Sequence, residues 1–281
     1  RPVPAGNVPG EHYSPTQPIP LKPPPLARVS FDRDDIVTAD DTTTAHAAAC
    51  RELWDAVDYY NEGPYTPMRL QEEGTPPSLV FPGMQGGVNW GGTAYDPELS
   101  YIFVNSKERP LNGWLKENPE YGPDTDSEVP YVREPGPPFE APLFDDDGVR
   151  IGALPCFKPP WARLFAVNVS TGEIAWEVPL GTEALLSPDK QNVGSRGEGG
   201  PIVTAGGLVF VGATADRTIR AFDSRTGAEL WSATFDYNVQ AVPITYEGVD
   251  GTQYVAVNVS APAAGEPRGN ERLVVFRLAD R

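Results

Sequence analysis

Short alternations of apolar and polar residues dominate the chain after residue 77, and they predict β-strands separated by tight turns. The pattern is clearest over residues 200–235, where Gly206-Gly207 and Thr226-Gly227 interrupt four short segments rich in apolar residues. Glycine permits the positive φ that such turns require. We therefore predict a four-stranded antiparallel sheet in this stretch. Its strands are expected at Ile202–Thr204, Leu208–Gly212, Thr218–Asp223 and Glu229–Ala233.

Part of this pattern occurs twice, in residues 163–176 and again in residues 218–231. Equivalent positions 55 residues apart hold the same residue type, namely Ala166 and Ala221, Gly172 and Gly227, and Trp176 and Trp231. A repeat made of short strands and a turn is typical of a β-propeller, in which stacked blades bury a shared core. The sequence thus predicts an all-β propeller with both tryptophans packed between blades.

Two further groups of strands extend this prediction. Residues 88–95 and 101–105 flank a turn and are expected to form a hairpin. The last group of strands is expected at Ala241–Tyr246, Gln253–Asn258 and Arg272–Leu278. Residues 107–158 are acidic and rich in proline, so we expect an irregular loop there. Together these segments give about four blades, some partial, which we do not expect to close a ring by themselves.

The first 80 residues carry a different pattern from the blades. Residues 1–30 are rich in proline and are expected to form an extended arm on a surface. A helix is expected at about residues 43–60, capped by Asp40 or Asp41. We therefore divide the chain into an arm with a helical insert, residues 1–80, and propeller blades, residues 81–281. Both parts are assigned to one domain that an upstream N-terminal half completes.

Composition narrows the class of protein. The chain has 281 residues, of which 40% are hydrophobic, enough for one large all-β domain. Its net charge of −17 disfavours nucleic acid, whose phosphates require Lys and Arg. No apolar run approaches the ~18 residues of a membrane helix. Residue 1 is Arg and no signal peptide follows, so we expect a processed chain, a truncated chain or one piece of a longer protein.

The two cysteines, Cys50 and Cys156, leave two interpretations open. They can form a disulfide that links the helical insert to the later strands, or they can remain two buried thiols. Neither flank shows the closely spaced cysteines of a disulfide-rich protein. The sequence therefore favours free thiols.

Longer motifs make a family resemblance specific. Residues 86–97 resemble the strand-and-turn signature of quinoprotein dehydrogenases, and residues 199–210 and 213–231 are similar to their late-blade motif. Within that family the membrane-bound glucose and quinate dehydrogenases are the most similar. That finer likeness rests on Arg1–Gly6, Ser14–Pro18, Leu154–Cys156 and Pro160-Trp161. The resemblance covers nearly the whole chain, least clearly residues 107–150, and concerns the C-terminal part of the family.

The resemblance implies both a fold and a function. The fold is the C-terminal half of an eight-bladed β-propeller that uses pyrroloquinoline quinone (PQQ). The complete enzyme oxidises a sugar or polyol and passes electrons to a membrane quinone or a cytochrome. Its general-base Asp, a neighbouring Lys and the calcium ligands lie in the upstream part. We therefore expect no catalytic residue in this chain, an inactive chain on its own, and a partner in the enzyme's N-terminal half.

The resemblance also implies a periplasmic location, with any membrane association supplied by the upstream part. A competing interpretation belongs to another functional class. It is a non-catalytic propeller that serves as an interaction scaffold, having kept the blades and lost the chemistry. An Asp and a Lys on neighbouring upstream blades would favour the enzyme.

Four residues are predicted to contact the cofactor: Asn89, Trp90, Glu198 and Gly199. The amide of Asn89 can hydrogen-bond a quinone oxygen or a carboxylate, although a strand-end amide bonded to backbone is the alternative. Trp90 either borders the cofactor or packs between blades. Glu198 stands where other branches commonly have an aromatic or aliphatic residue, which leaves its role open.

Other polar residues receive structural interpretations. His12 and His46 have no ligand partner at metal-binding spacing, so we predict no metal site at either. The acidic run Asp145–Asp147 lacks the spaced ligands of a calcium loop and is expected to be a solvated turn. Arg196 is expected to be a solvated charge of a flexible loop, with an anionic cofactor as the alternative partner.

Overall fold

The computed structural model describes residues 1–123, 127–260 and 271–278. The chain forms two compact units, each assembled from separate stretches of sequence. The first unit comprises residues 1–19, 28–86 and 109–158. The second comprises residues 20–27, 87–108 and 159–281. The boundary expected between residues 80 and 81 stays a prediction.

Within the described residues the regular structure consists mainly of short strands, with one α-helix, α1, at Thr44–Val57. The strands are β1 Ser78–Val80, β2 Ala94–Asp96, β3 Tyr101–Lys107, β4 Leu111–Glu117, β5 Tyr131–Pro135, β6 Glu140–Phe144, β7 Arg150–Pro155, β8 Ala162–Asn168, β9 Glu173–Pro179, β10 Ile202–Val203, β11 Leu208–Val211, β12 Thr218–Asp223, β13 Glu229–Thr234, β14 Ile244–Glu247, β15 Gln253–Val259 and β16 Arg272–Arg277. In this part of the chain no helix has the length and apolar character needed to cross a membrane.

The predicted helix is present, but both of its ends differ from the prediction. Thr43 caps it by accepting a hydrogen bond from the His46 backbone N–H at 3.2 Å, and neither Asp40 nor Asp41 does so. Asp41 instead accepts a 2.8 Å hydrogen bond from the Thr38 hydroxyl. The helix ends at Asp58, whose φ of 55° is left-handed. The prediction overlooked the local side-chain bond that occupies Asp41.

The first unit also contradicts the predicted irregular loop at residues 107–158. This stretch contains β4 to β7, with β4 between β1 and β5 in one antiparallel sheet and β6 paired with β7 in another. The acidic run makes the turn between β6 and β7, where Asp145 accepts from the Val149 backbone N–H at 2.8 Å. The turn prediction is thus confirmed. The prolines of residues 107–158 lie at strand ends and in edge strands. Composition alone does not distinguish these positions from loops.

A disulfide joins Cys50 of α1 to Cys156, directly after β7, so the prediction of two free thiols is wrong. Cys50 and Cys156 are 106 residues apart in the sequence, so no local cysteine pattern predicts their pairing. His46 lies beside it, buried, with its Nε2 donating to the Leu154 carbonyl at 3.1 Å. Burial lowers the pKa of His46, despite this bond. A cluster of aromatic rings packs in the same unit: Phe31, Trp54, Tyr59, Phe81, Phe139 and Phe157.

The described residues of the second unit form three antiparallel sheets, which we name blades. The first blade has the order β2-β3-β8-β9, the second β10-β11-β12-β13 and the third β14-β15-β16. The predicted sheet over residues 200–235 is therefore confirmed. The hairpin predicted from residues 88–95 and 101–105 is present, but its first strand covers only Ala94–Asp96. Residues 109–158, which belong to the first unit, lie in the sequence between β3 and β8. These two strands are neighbours in one blade.

The repeat noted in the sequence is a repeat of local geometry. Ala166 pairs with Trp176 across β8 and β9, and Ala221 pairs with Trp231 across β12 and β13. Each pair is followed by a register shift in its blade. These bulges increase strand twist. The common geometry explains why both copies keep the same residue spacing.

Trp176 connects the first blade to the second. Its indole N–H donates to the Ser224 carbonyl at 3.0 Å, in the turn between β12 and β13. In the same turn Gly227 has a φ of 73°, and a Cβ there would lie 2.7 Å from Cε3 of Trp176. Trp231 contacts Phe276 of the third blade, with ring centroids 4.9 Å apart. The predicted packing between blades is confirmed for Trp176, and Trp231 contacts the third blade although it is 38% exposed.

Apolar clusters fill the spaces between the blades. One cluster includes Phe103 and Leu164 of the first blade with Val209 and Phe222 of the second. Another joins the second and third blades through the side chains of Ile219, Val239, Val257 and Val259. Because each blade buries one face against the next, an all-β, partial propeller is the fold of this unit, as predicted.

We expect Gly227→Ala to lower the free energy of unfolding by about 2–4 kcal/mol, because left-handed backbone strain adds to overpacking against Trp176. Gly251→Ala is the matched control. Gly251 has a φ of 77° but nothing within 4 Å of its added Cβ, so only strain of about 1 kcal/mol is expected. Denaturant unfolding of both variants measures the difference. Equal losses would show that Trp176 does not constrain the turn.

Replacing Cys50 and Cys156 together by Ala should lower the free energy of unfolding by about 2–5 kcal/mol, because the bridge restricts a long loop in the unfolded chain. The companion measurement is alkylation in denaturant without reductant, followed by mass spectrometry. We expect no label on either cysteine. Two labelled thiols would contradict the bridge and restore the prediction from sequence.

Candidate functional site

The segment that carries Asn89 is a loop rather than the strand expected at residues 88–95. Only Ala94–Asp96 pairs as a strand, β2. Before it, Gly87 and Gly92 have φ values of 72° and 77°, conformations that favour glycine. The side-chain oxygen of Asn89 accepts from the Trp90 backbone N–H at 2.8 Å and folds the loop locally. Local hydrogen bonding of this kind competes with strand pairing, which explains the difference.

One face of β3 changes from apolar to polar along its length. Phe103, Asn105 and Lys107 alternate on that face, and Phe103 is fully buried in the cluster between blades. The Asn105 amide donates to the Gly199 carbonyl at 2.9 Å. Backbone atoms of Lys107 and Gly87 pair with each other, with Gly87 donating to the Lys107 carbonyl at 2.7 Å. The polar end of β3 therefore meets both the Asn89 loop and the loop before β10.

Lys107 and Glu198 form an ion pair at this polar end. The Lys107 side chain is 5% exposed and that of Glu198 is 28% exposed. Apart from this ion pair, the described residues give the ammonium no hydrogen-bond partner. A buried cation with a single carboxylate is incompletely satisfied, because an ammonium has three N–H donors.

Glycines bring two backbone segments into contact beside the ion pair. A Cβ on Gly200 would lie 1.8 Å from the Gly91 carbonyl oxygen, and one on Gly91 would lie 2.6 Å from the Gly199 carbonyl. A Cβ on Gly197 would lie 1.8 Å from the Ala213 carbonyl oxygen. Backbone atoms occupy all these places and cannot move aside as a flexible side chain would. Only glycine fits at these positions.

These groups line one small polar pocket. Its lining residues are Gly87, Asn89, Gly91, Asn105, Lys107, Gly197, Glu198 and Gly199. Three of the four predicted contact residues, Asn89, Glu198 and Gly199, thus lie together. Trp90 is not among the lining residues, and its side chain is 69% exposed, so packing of Trp90 between blades is wrong.

A family described as "PQQ: Glucose/ethanol/alcohol dehydrogenase, beta-propeller domain" matches residues 1–255. The chain belongs to this family. Among curated proteins, the quinate/shikimate dehydrogenase (quinone) of Acinetobacter baylyi is 33% identical over 99% of this chain and 35% of its own length. The quinoprotein glucose dehydrogenase of Escherichia coli is 31% identical over the whole chain and 35% of its own length. This quinoprotein chain thus spans about a third of the length of these relatives.

A solved structure is also similar to this quinoprotein chain. It is the quinohemoprotein alcohol dehydrogenase from Comamonas testosteroni, with a TM-score of 0.48 and 25% identity over 73% of this chain and 28% of that one. Family membership confirms the recognition made from residues 86–97 and 199–231 and supports the propeller fold.

A second buried ion pair supports the loop that carries Glu198. The Asp216 carboxylate pairs with Arg220 and accepts from the Thr214 hydroxyl at 2.5 Å and the Thr182 backbone N–H at 2.8 Å. Ala215, next to this group, donates its backbone N–H to the Arg196 carbonyl at 3.0 Å. The pair therefore holds the turn against which residues 196–197 of the quinoprotein chain lie.

Burial raises the pKa of Asp216, but hydrogen bonds and charge from Arg220, with hydrogen bonds from Thr214 and Thr182, outweigh it. The net result is a pKa below the usual value of 3.8. A carboxyl group with a lowered pKa stabilises the fold above its ordinary pKa. That contribution is lost as the pH falls from there through the folded-state pKa.

Sequence reasoning missed Asn105, Lys107 and the pairing of Asp216 with Arg220. The first two had a signal: polar residues at alternate positions continuing the buried face of a strand that contains Phe103. Asp216 and Arg220 are four residues apart in the sequence, on either side of the start of β12. Charged residues at this spacing usually form only a solvated ion pair. Their burial comes from tertiary packing, which the local pattern does not report.

Asp216→Asn should lower the free energy of unfolding at pH 7 by about 2–4 kcal/mol, because it removes the buried carboxylate beside Arg220 and leaves only Glu229, which is 45% exposed, as its charge partner. The difference from wild type should shrink as the pH falls below about 4, where the Asp216 carboxyl of the unfolded wild-type chain begins to be protonated while that of the folded chain stays charged. Asp250→Asn is the control, since Asp250 bonds Thr252 and Tyr254 in an exposed turn. Urea unfolding from pH 3 to pH 7 measures both. A loss for Asp216→Asn that is the same at every pH would contradict the charge assignment.

Proposed function

We propose that the chain is the C-terminal part of a PQQ-dependent dehydrogenase that oxidises a hydroxyl group of a sugar or cyclic polyol. Family membership over residues 1–255 supports this proposal. So do the two relatives described above, whose names specify quinate, shikimate and glucose. Their greater length supports a larger enzyme. We propose that its upstream half completes the ring and ligates calcium.

The small polar pocket offers chemistry that suits one edge of PQQ. PQQ presents quinone carbonyls and carboxylates, all of which accept hydrogen bonds and most of which carry negative charge. The pocket offers donors from the Asn89 and Asn105 amides and from the buried Lys107 ammonium, which lacks a full set of acceptors. Its glycines keep side chains away from the facing backbone of Gly91 and Gly199. The proposal rests on one observation: amide and ammonium donors lie together in a pocket whose remaining lining is mostly glycine backbone.

In the proposed enzyme these residues bind PQQ and hold it in one orientation. When bound, PQQ supplies the two-electron redox chemistry by which the hydroxyl becomes a carbonyl. Asn89 is held by the Trp90 backbone N–H, so its amide is fixed in orientation before a ligand arrives. Glu198 and Gly199 form the rim of the same pocket. We assign the proton-abstracting base and the metal ligands to the upstream half, and no catalytic residue to this chain.

The disulfide supports the proposed location. Disulfides persist in oxidising compartments such as the bacterial periplasm and are rare in the cytosol. Cys50 and Cys156 are both fully buried and bridged. A periplasmic enzyme can deliver electrons to a membrane quinone or a cytochrome, and we propose one of these as the acceptor. The Acinetobacter baylyi relative carries "quinone" in its name.

The third blade supports an upstream partner. One face of it packs on the second blade through Val257, Val274 and Phe276. The opposite face carries large side chains that are exposed: Ile244, Tyr246, Leu273 and Val275. Such a face resembles the ones that the other blades bury, so we propose that a blade of the N-terminal half covers it.

The proposal is tested by titrating PQQ into the full-length protein that contains this chain, in wild type, Asn89→Ala and Asn89→Asp. Loss of the amide should weaken PQQ binding by about 1–3 kcal/mol. Asn89→Asp keeps the oxygen that accepts from Trp90 but replaces the donor by a negative charge, so it should bind more weakly still. Circular dichroism verifies folding.

Asn192→Ala is the matched control, because Asn192 is an exposed amide outside the pocket. It should bind PQQ as wild type does. If both Asn89 variants fold and bind as tightly as wild type, Asn89 is not a contact residue. If the wild-type protein binds no PQQ at all, the non-catalytic scaffold becomes the better function.

A further inference from the structure

The ion pair between Lys107 and Glu198 is asymmetric in its burial. The Lys107 side chain is 5% exposed, whereas that of Glu198 is 28% exposed. Water can therefore solvate the carboxylate if the pair separates, but it cannot readily solvate the ammonium. Of the two charges, Lys107 depends on a partner inside the pocket and Glu198 does not.

The backbone on either side of Glu198 is fixed. A Cβ on Gly197 would lie 1.8 Å from the Ala213 carbonyl oxygen, and one on Gly199 would lie 2.6 Å from the Gln240 carbonyl oxygen. Both glycines therefore lie directly against backbone of neighbouring segments. A change of partner at Lys107 thus involves rotation of the Glu198 side chain, with the loop left in place.

We infer that Lys107 is a ligand-contact residue and that Glu198 is its internal competitor. The inference rests on the proposed function and extends it. In the free protein Glu198 neutralises the ammonium; in the complex an oxygen of the ligand takes the ammonium and Glu198 turns towards solvent. Lys107 thereby provides affinity for a ligand bearing carboxylate or quinone oxygens, and Glu198 reduces that affinity by competing for the same N–H donors.

Charge decides which ligands this arrangement takes. A neutral hydroxyl is a poor substitute for a carboxylate at a buried ammonium, because only the carboxylate adds attraction between opposite charges to the hydrogen bond. A ligand oxygen with full or partial negative charge can replace Glu198. The class of ligand is therefore an anionic compound that presents carboxylate or other negatively polarised oxygens, the class that includes PQQ.

The arrangement predicts effects of opposite sign for the two partners. Lys107→Met removes the donor while keeping the length of the side chain, and it should weaken PQQ binding about 10- to 100-fold. Glu198→Gln removes the competing charge and should tighten binding about 2- to 5-fold. The double variant should bind within about twofold of Lys107→Met, because Glu198 acts through the ammonium.

The measurement is titration of PQQ into the full-length protein, followed by tryptophan fluorescence and calorimetry, for wild type and the three variants. Lys116→Met and Glu134→Gln are the matched controls, since Lys116 and Glu134 form an ion pair with side chains 47% and 35% exposed, outside the pocket. Neither control should change the affinity. Thermal unfolding without PQQ reports any purely structural role of each pair.

The outcomes separate this inference from the proposed function. If wild type binds PQQ and Lys107→Met binds equally well, or if Glu198→Gln weakens binding as much as Lys107→Met does, the inference is overturned and the proposed function stands. If wild type binds no PQQ, both fail. If Lys107→Met does not fold, wild type and Glu198→Gln still decide: tighter binding whose gain falls with added salt supports the inference, and weaker binding overturns it.

Discussion

The second unit depends on one contact, the indole of Trp176 against the turn between β12 and β13. The indole donates to the Ser224 carbonyl, and the turn presents a glycine where any side chain would meet the ring. This contact fixes the lateral position of one blade on the next, which the apolar cluster between them does not do because hydrophobic burial is non-directional. The register that Ala166 shares with Trp176 sets the height of the indole along the blade.

The position of the polar pocket follows from that blade-to-blade fit. The face of β3 that contributes Phe103 to the apolar cluster also contributes Asn105 and Lys107 at its far end. A shift of the second blade would move Gly199 away from the Asn105 amide, which donates to its carbonyl. Asp216 and Arg220 hold the neighbouring turn with a fully paired buried charge, which resists such a shift. In this unit the packing of the blades therefore determines the geometry of the polar pocket.

The sequence predicted the blades better than the rest because blade strands carry their information locally. The Thr-Gly turns, the period of two and the repeated tryptophans are short-range signals, and they placed β10 to β13 correctly. Residues 107–158 lack such signals, since their prolines and acidic residues occur in edge strands as well as in loops. The bridge between Cys50 and Cys156 depends on residues 106 positions apart, and only the folded chain brings them together.

The candidate site shows the same division. Asn89, Glu198 and Gly199 were predicted from motif resemblance, and they line one pocket. Lys107 was not predicted, because a lysine at a strand end is ordinarily a solvated charge. Its importance arises from burial and from a single carboxylate partner, both of which are tertiary properties. Trp90 shows the converse, since an aromatic residue inside a recognised motif is exposed at 69%.

The crossing of Gly91 and Gly200 has a consequence for engineering. A methyl group at either position would overlap backbone of the other segment, so neither can be randomised in a library without separating the two loops. Diversity aimed at ligand preference is better placed at residues 89, 105, 107 and 198, whose side chains face the pocket from this fixed scaffold. The glycine crossing thus acts as a rigid frame that keeps the two loops in contact while side chains around the pocket are exchanged.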